Sequence, residues 1–225
     1  KELAISGAKI VLVVTGGSPI ALGDVADLVD AILFVWYPGM EGGRAVADVL
    51  FGDISPAGKL PLTFPRSLDQ LPAFDDYNMA GRTYRYMTAD PLYPFGFGLS
   101  YTTFAYGDLH ITSPASSGFE AAIKVENTGA VASDEVVQLY LKALDSKLTA
   151  PLSQLIGFQR IHLEPGQSQT VTITVKPEML MLFDENGQQV FQPGKFRLTA
   201  GGCSPGDRGL NLGAATPVSV EVEGF

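Results

Sequence analysis

The sequence predicts two architectures in series: a partial three-layer α/β sandwich with parallel strands, then an all-β immunoglobulin or fibronectin III-like sandwich. Three observations predict it. Two continuous apolar runs near the start are each followed by a helical pattern. From Tyr101 the hydrophobic period changes to two, with turn signals between the runs. Between these regions lies a stretch rich in Pro and Gly with little regular pattern.

The elements follow in order. Leu3 and Ile5 read as the tail of a helix ended by Gly7. The sequence opens on Lys1 with no Met, and a domain rarely starts on its last helical turn, so more chain is expected upstream. Lys9 to Val14 is an apolar run of the kind covered on both faces. Thr15-Gly-Gly-Ser-Pro19 is the turn after it, and Asp24 to Leu28 reads as a short helix. Ala31 to Val35 is a second buried strand, broken by Trp36-Tyr-Pro-Gly39. Gly42 to Phe51 is a helix with Ala45, Val46, Val49 and Leu50 on one face and Gly52 as its cap. Two strands are too few for a stable sheet, so the remaining strands are expected from chain outside this sequence.

Residues 53 to 100 carry Ser55-Pro-Ala-Gly58, Leu60-Pro61, Phe64-Pro65, Leu71-Pro72 and Pro94-Phe-Gly-Phe-Gly98. A structureless stretch of this length reads as a connector packed over something larger. Alternation then sets in at Phe119, Ala121, Ile123 and Val125. It returns at Val137, Leu139 and Leu141, at Val171, Ile173 and Val175, at Phe196, Leu198 and Ala200, and at Val218, Val220 and Val222. Asn186-Gly187 between Met181-Leu-Phe183 and Val190-Phe191 signals a hairpin. About seven short strands in this span predict the sandwich.

Bulk properties exclude some classes. With 46% hydrophobic and 17% charged residues the chain is globular, and its 225 residues allow two small domains. A net charge of −9 argues against nucleic acid and anionic membranes, which need basic patches. No apolar run approaches the roughly 20 residues of a membrane helix. Cys203 stands alone, so no internal disulfide forms, and His110 and His162 lie too far apart for zinc spacing. No cofactor or metal is implied.

Candidate chemistry is sparse. Thr15-Gly-Gly-Ser18 could cradle a phosphate or be a plain tight turn. Trp36-Tyr-Pro-Gly-Met-Glu-Gly-Gly43 lies at the carboxyl end of a parallel strand, where open α/β sheets bind ligands. Trp36 and Glu41 are therefore either cleft-lining, substrate-binding residues or a packed ring beside a helix-start carboxylate. Eight aromatics between Tyr84 and Tyr106 would stack on sugar rings or pack between domains. Arg82 and Arg85 could fork onto carboxylates of a neighbouring domain. Asp75-Asp76 reads as a solvated loop pair or an acid–base couple. No Ser-His-Asp or Cys-His arrangement is legible.

Several motifs together resemble the family-3 glycoside hydrolases, the β-glucosidase and β-xylosidase group. They are Val13-Val-Thr-Gly-Gly-Ser-Pro-Ile20, Tyr37-Pro-Gly-Met-Glu-Gly-Gly43 running on to Asp53, Pro56-Ala-Gly-Lys-Leu-Pro-Leu-Thr-Phe-Pro65, Arg82-Thr-Tyr-Arg-Tyr86 and Leu92-Tyr-Pro-Phe-Gly-Phe-Gly-Leu-Ser-Tyr-Thr-Thr-Phe104. In the sandwich they continue with Val125-Glu-Asn-Thr-Gly129, Asp134-Glu-Val-Val-Gln-Leu-Tyr140, Leu155-Ile-Gly-Phe-Gln-Arg160 and Leu163-Glu-Pro-Gly166.

The resemblance implies an N-terminal (β/α)8 barrel with an aspartate nucleophile, an α/β sandwich domain supplying the acid/base, and a fibronectin-like domain. It implies retaining hydrolysis of β-linked glycosides from the non-reducing end, through two carboxyls about 5–5.5 Å apart. Neither catalytic motif is matched, so no catalytic residue is carried over and the segment alone is expected to be inactive. Glu41 matches a family motif that is not the acid/base motif. The expected domains are 1–66, completing the α/β domain; 67–105, an aromatic-rich linker; and 106–225, the sandwich. The partners implied are the barrel portion of the same enzyme and a β-linked oligosaccharide or glycoside, with a homodimer one assembly the resemblance allows and no nucleic acid or membrane. A secreted or periplasmic location is expected. A non-catalytic carbohydrate-binding or scaffold module is the alternative.

Overall fold

The two apolar runs pair with each other. In the computed structural model, which describes residues 2–115 and 118–223, β1 (Val11–Thr15) lies parallel to β2 (Ala31–Trp36), Val11 opposite Ala31 and Val14 opposite Phe34. Ahead of them a single turn, α1 (Glu2–Ile5), precedes Gly7 at φ +72. The crossover holds the short helix expected from Asp24 to Leu28, as a 3-10 turn at Gly23–Leu28. Six residues starting on a left-handed glycine, with no side-chain cap, are too few to pay back α nucleation. α2 (Gly42–Leu50) follows β2. A Cβ on Gly42 would sit 2.5 Å from the Pro38 ring, so the tight entry into α2 requires glycine there.

The cover expected on both faces of this pair is not found among the described residues, in line with the expectation that further strands lie outside this sequence. Both strands read as covered on both faces, yet only Val14 of β1 is buried, while Val11 and Val13 are 45% and 39% exposed. The described residues supply the parallel pair but not its cover.

The connector folds back on itself. Its regular structure is one 3-10 turn at Leu68–Gln70 and the single turn α3 (Thr83–Tyr86). Residues 60–64 and 92–97 run side by side, joined by backbone bonds from Phe64 to Tyr93 (2.9 Å), Leu92 to Phe64 (2.7 Å), Gly96 to Leu60 (2.7 Å) and Leu60 to Phe97 (2.9 Å).

The sandwich then forms from seven strands in two antiparallel sheets. β3 (Phe104–Ala115), β4 (Gly118–Asn127) and β7 (Ser168–Val175) make one, in the order β3-β4-β7. β5 (Ser133–Ala143), β6 (Gln154–Leu163), β10 (Lys195–Gly201) and β11 (Val218–Glu223) make the other, in the order β11-β10-β5-β6. The inward sets of β4, β5, β7 and β10 meet in one core, where Ala121, Ile123, Val125, Val137, Leu139, Leu163, Leu198 and Ala200 are fully enclosed. A small hairpin, β8 (Leu182–Phe183) and β9 (Gln189–Val190), turns at Asp184–Gln188 as the Asn-Gly pair predicts. Asp184 Oδ1 accepts the Asn186 and Gln188 amides, and Gly187 takes φ +73. One turn, α4 (Asp207–Asn211), lies between β10 and β11. The fold is thus a partial α/β unit followed by a fibronectin-type sandwich.

β3 and β6 carry no clean alternation, and the structure shows why. β3 shifts register between Gly107 and His110, with Asp108 at φ +50. β6 shifts opposite Leu139 and Tyr140, so that Ile156 and Ile161, five residues apart, both point inward. A bulge moves the inward set by one residue and erases the period of two.

Candidate functional site

Trp36 and Glu41 flank the loop at the carboxyl end of β2. Trp36 is the last residue of the strand and takes φ +54, a conformation bulky side chains rarely adopt. Holding it there costs on the order of 1–3 kcal/mol, which the surroundings must supply. They do so from two sides. The Gly16 amide donates to the Trp36 carbonyl at 3.2 Å, and the indole packs edge-on against Phe34 (4.5 Å between centroids) and Phe64 (6.4 Å). The half-buried indole makes no hydrogen bond among the described residues, so its N–H remains available.

Glu41 is exposed and precedes α2, but its carboxylate caps no backbone amide. Its carbonyl takes the Ala45 N–H at 2.9 Å. The structure brings the two candidates to one loop without joining them. The glycines of Thr15-Gly-Gly-Ser18 have packing reasons instead of a phosphate: a Cβ on Gly17 would lie 2.9 Å from the Tyr37 ring, and one on Gly16 would lie 2.9 Å from Ile20.

From Trp36 a chain of rings leads away. Phe64, almost fully buried, meets Tyr93 at 6.2 Å, and Tyr93 stacks on Phe97 at 5.9 Å. A second group stacks Tyr84 on Phe95 at 4.3 Å and sets Tyr84 against Tyr140 of β5 at 6.0 Å. Part of the aromatic run therefore packs the connector between β2 and the sandwich. Among the described residues, Arg82 and Arg85 reach no carboxylate. Arg82 donates to the carbonyls of Ala73, Asp76 and Asn78, closing its own loop. Arg85 donates to Gln154 Oε1 at 3.0 Å and lies over the Tyr86 ring, its Nε buried without a partner. An arginine beside a hydrogen-bond-poor turn finds carbonyls first, because they are local. Asp76 accepts both N–H groups of Asn78, which with Arg82 holds its carboxyl below the ordinary range: a capped turn.

Two buried polar clamps join residues that the sequence does not pair. Glu135 on β5 accepts Lys59 Nζ at 3.1 Å and the Tyr106 hydroxyl at 2.8 Å, while Lys59 also donates to Gly98 O at 2.8 Å. Burial, then the Glu135 charge, pushes the Tyr106 phenol well above its usual value. Gln138 donates to Gly96 O (3.1 Å) and Gly202 O (2.7 Å) and accepts from the Tyr140 hydroxyl (2.5 Å). A Cβ on Gly96 would lie 2.0 Å from Gln138 Oε1, so that approach requires glycine. Both clamps tie the connector to β5. Cys203 sits nearby, its thiol pushed up to about 11 by burial, so it is no thiolate nucleophile at neutral pH. Among the described residues no three His, Cys, Asp or Glu side chains are grouped to hold a metal.

Two family models match this chain: the glycosyl hydrolase family 3 C-terminal domain over residues 1–101 and a fibronectin type III-like domain over residues 135–204. A periplasmic beta-glucosidase of Salmonella typhimurium is 40% identical over 214 residues, 88% of this chain and 28% of that protein. A xylan 1,4-beta-xylosidase of Xylanibacter ruminicola is 42% identical over 206 residues, 91% of this chain and 24% of that protein. In structure, a beta-glucosidase of Kluyveromyces marxianus superposes with a TM-score of 0.84 at 32% identity, over 98% of this chain and 27% of the other. The chain thus spans about a quarter of the length of such relatives.

Proposed function

The chain belongs to glycosyl hydrolase family 3, carrying its C-terminal domain and a fibronectin type III-like domain, and from that membership we propose that the whole protein is a retaining, exo-acting β-glycosidase, a β-glucosidase first. The single observation that carries this reading is the match, along most of the chain, to relatives named beta-glucosidase and beta-xylosidase. Both catalytic carboxylates lie outside these residues in this reading, on a (β/α)8 barrel and on the first half of the α/β domain.

The chain's part is to shape and brace the cleft. Residues 1–66 complete the α/β domain, and the exposed apolar faces of β1 support a covering partner. Residues 67–105 cross toward the barrel, and 106–225 anchor that crossing through the Glu135 and Gln138 clamps. Trp36 and Glu41 line the cleft: the indole offers a stacking face and a free N–H, and the carboxylate accepts sugar hydroxyls. The protein acts in the periplasm or outside the cell; the periplasm is the location in the name of one relative.

The test is hydrolysis of aryl β-glucoside and β-xyloside by the full protein and by this chain alone, with the first-formed anomer read by NMR. The expected result is β-anomer release by the full protein and none by the chain. Turnover by the isolated chain, or inversion at the anomeric carbon, overturns the reading.

A further inference from the structure

A groove of about 310 Å³ lies between the connector and the loop carrying α4, lined by Tyr84, Met87, Thr88, Asp90, Ser204 and Arg208 among others. It is separate from the Trp36–Glu41 loop, none of whose residues line it. We propose that it is a second, non-catalytic sugar site that takes a single pyranose unit.

The argument begins with charge. The Asp90 carboxylate makes no hydrogen bond or ion pair among the described residues; only its carbonyl is used, by Arg66 and Gln70. Arg208 donates from Nε and Nη2 to the Leu92 carbonyl, at 3.1 and 3.0 Å, and pairs with no carboxylate among the described residues. An exposed, hydrated anion and a half-buried cation, neither paired among the described residues, thus line one groove. The ligand that satisfies both is one whose groups donate to a carboxylate and accept from a guanidinium, and a hydroxyl does both. Thr88 and Ser204 add hydroxyls of their own. Met87, Pro91, Pro94 and Pro205 supply the apolar surface that a sugar's C–H face needs.

The walls are also set in advance. Tyr84 is stacked on Phe95, and its hydroxyl accepts the Leu155 N–H at 3.1 Å. Two bonds to one carbonyl fix the Arg208 plane. Three prolines stiffen the lining backbone, so little ordering is left for the ligand to induce. The volume is at the small end of ligand sites, which suits one ring and not a chain of them.

The choice of a sugar rests on the glycosidase reading; the vacancy of Asp90 and Arg208 does not. The test is calorimetric titration with glucose and with xylose of the full protein, its catalytic cleft held by a saturating active-site inhibitor, in wild type and Asp90→Ala. The expected result is saturable binding with Kd on the order of 1–10 mM, weakened roughly tenfold in Asp90→Ala. Thermal stability and aryl-glycoside hydrolysis should stay unchanged. Arg208→Gln, which keeps one donor, should weaken binding likewise; if it unfolds, Asp90→Ala still decides. Identical isotherms for wild type and Asp90→Ala overturn the site, as does equal competition by glycine, which would mark a zwitterion pocket. Asp90-dependent sugar binding in a protein without hydrolase activity would sink the glycosidase reading and leave this site standing.

Discussion

The sandwich and the α/β segment are both rich in Val, Leu and Ile, yet they use them in opposite ways. In the sandwich each strand offers one apolar face and the second sheet closes it, so Val137, Leu139 and Leu198 retain no exposure. In β1 and β2 the apolar residues are continuous, and Val11 and Val13 stay open to solvent. Alternation needs one partner layer, which the same chain provides. A continuous run needs two. The difference shows which half of the chain can carry its own stability and which depends on a cover.

The largest expected effect tests this directly. Leu139→Ala opens a cavity in a closed core and should destabilise the fold by about 3–4 kcal/mol. Val13→Ala, a substitution in an equally apolar run, should cost less than about 1 kcal/mol while β1 remains uncovered. Urea midpoints of the two variants of this chain give the ratio. Equal losses would mean that β1 is packed after all, and the contrast between the regions would fall.

The connector belongs to the sandwich side of this comparison, and the sequence only half announces it. Glu135 sits in phase with Val137, Leu139 and Leu141, an acidic residue on the inward face, which is the mark of a buried partner. Tyr140 and Gln138 occupy the outward phase, where a solvated strand would be polar throughout. Their burial shows that β5 is covered on both faces, by the core and by the connector. The period of two shows which residues share a face. It does not show that a stretch without a period will lie across the other one. Likewise β3 and β6 escape the pattern because bulges reset it, and Trp36 is legible as a strand end but not as a left-handed residue. The exposure of β1 is implied only by the strand count, two being too few for a sheet, since cover depends on what surrounds the strand.

The next effect asks how firmly the connector is held. Glu135→Ala leaves Lys59, itself only 13% exposed, without its carboxylate and leaves the Tyr106 hydroxyl without its acceptor. A fully buried pair broken this way costs about 3–5 kcal/mol. The partial exposure of Lys59 reduces that to about 2–3 kcal/mol. Glu135→Gln keeps one acceptor, for Lys59, and its amide NH2 can donate to the Tyr106 hydroxyl in the reverse sense, so it should cost less. Limited proteolysis between residues 53 and 100 should speed up in the alanine variant and barely change in the glutamine one. A glutamine variant as labile as alanine would show that charge, not hydrogen bonding, secures the connector.

The smallest effect lies on the outer surface of the same sheet, where Asp134 repeats the chemistry of Glu135 in water. His162 Nδ1 lies 2.6 Å from Asp134 Oδ1, and Arg160 Nε lies 2.6 Å from Oδ2. The hydrogen bond to Asp134 holds the His162 imidazole above its ordinary value. Burial acts to raise the Asp134 carboxyl, but the bonds from His162 and Arg160 outweigh it and hold it below the carboxylate range. The signs follow. A raised histidine contributes its stability below its unfolded value near 6.5 and loses it as pH climbs through the folded value. A lowered aspartate contributes above its unfolded value and loses it as pH falls through the folded one. The pair therefore favours the fold in mildly acidic solution and weakens on either side. Solvent screens it, so no change in midpoint comparable with Glu135→Ala is expected. An NMR titration of the His162 ring should place its pKa above 6.5 and move it down in Asp134→Asn. An unmoved titration would mean that the contact is not held in solution. The buried clamp would then be the carboxylate of β5 that does structural work, and burial would be what separates it from its neighbour one residue away.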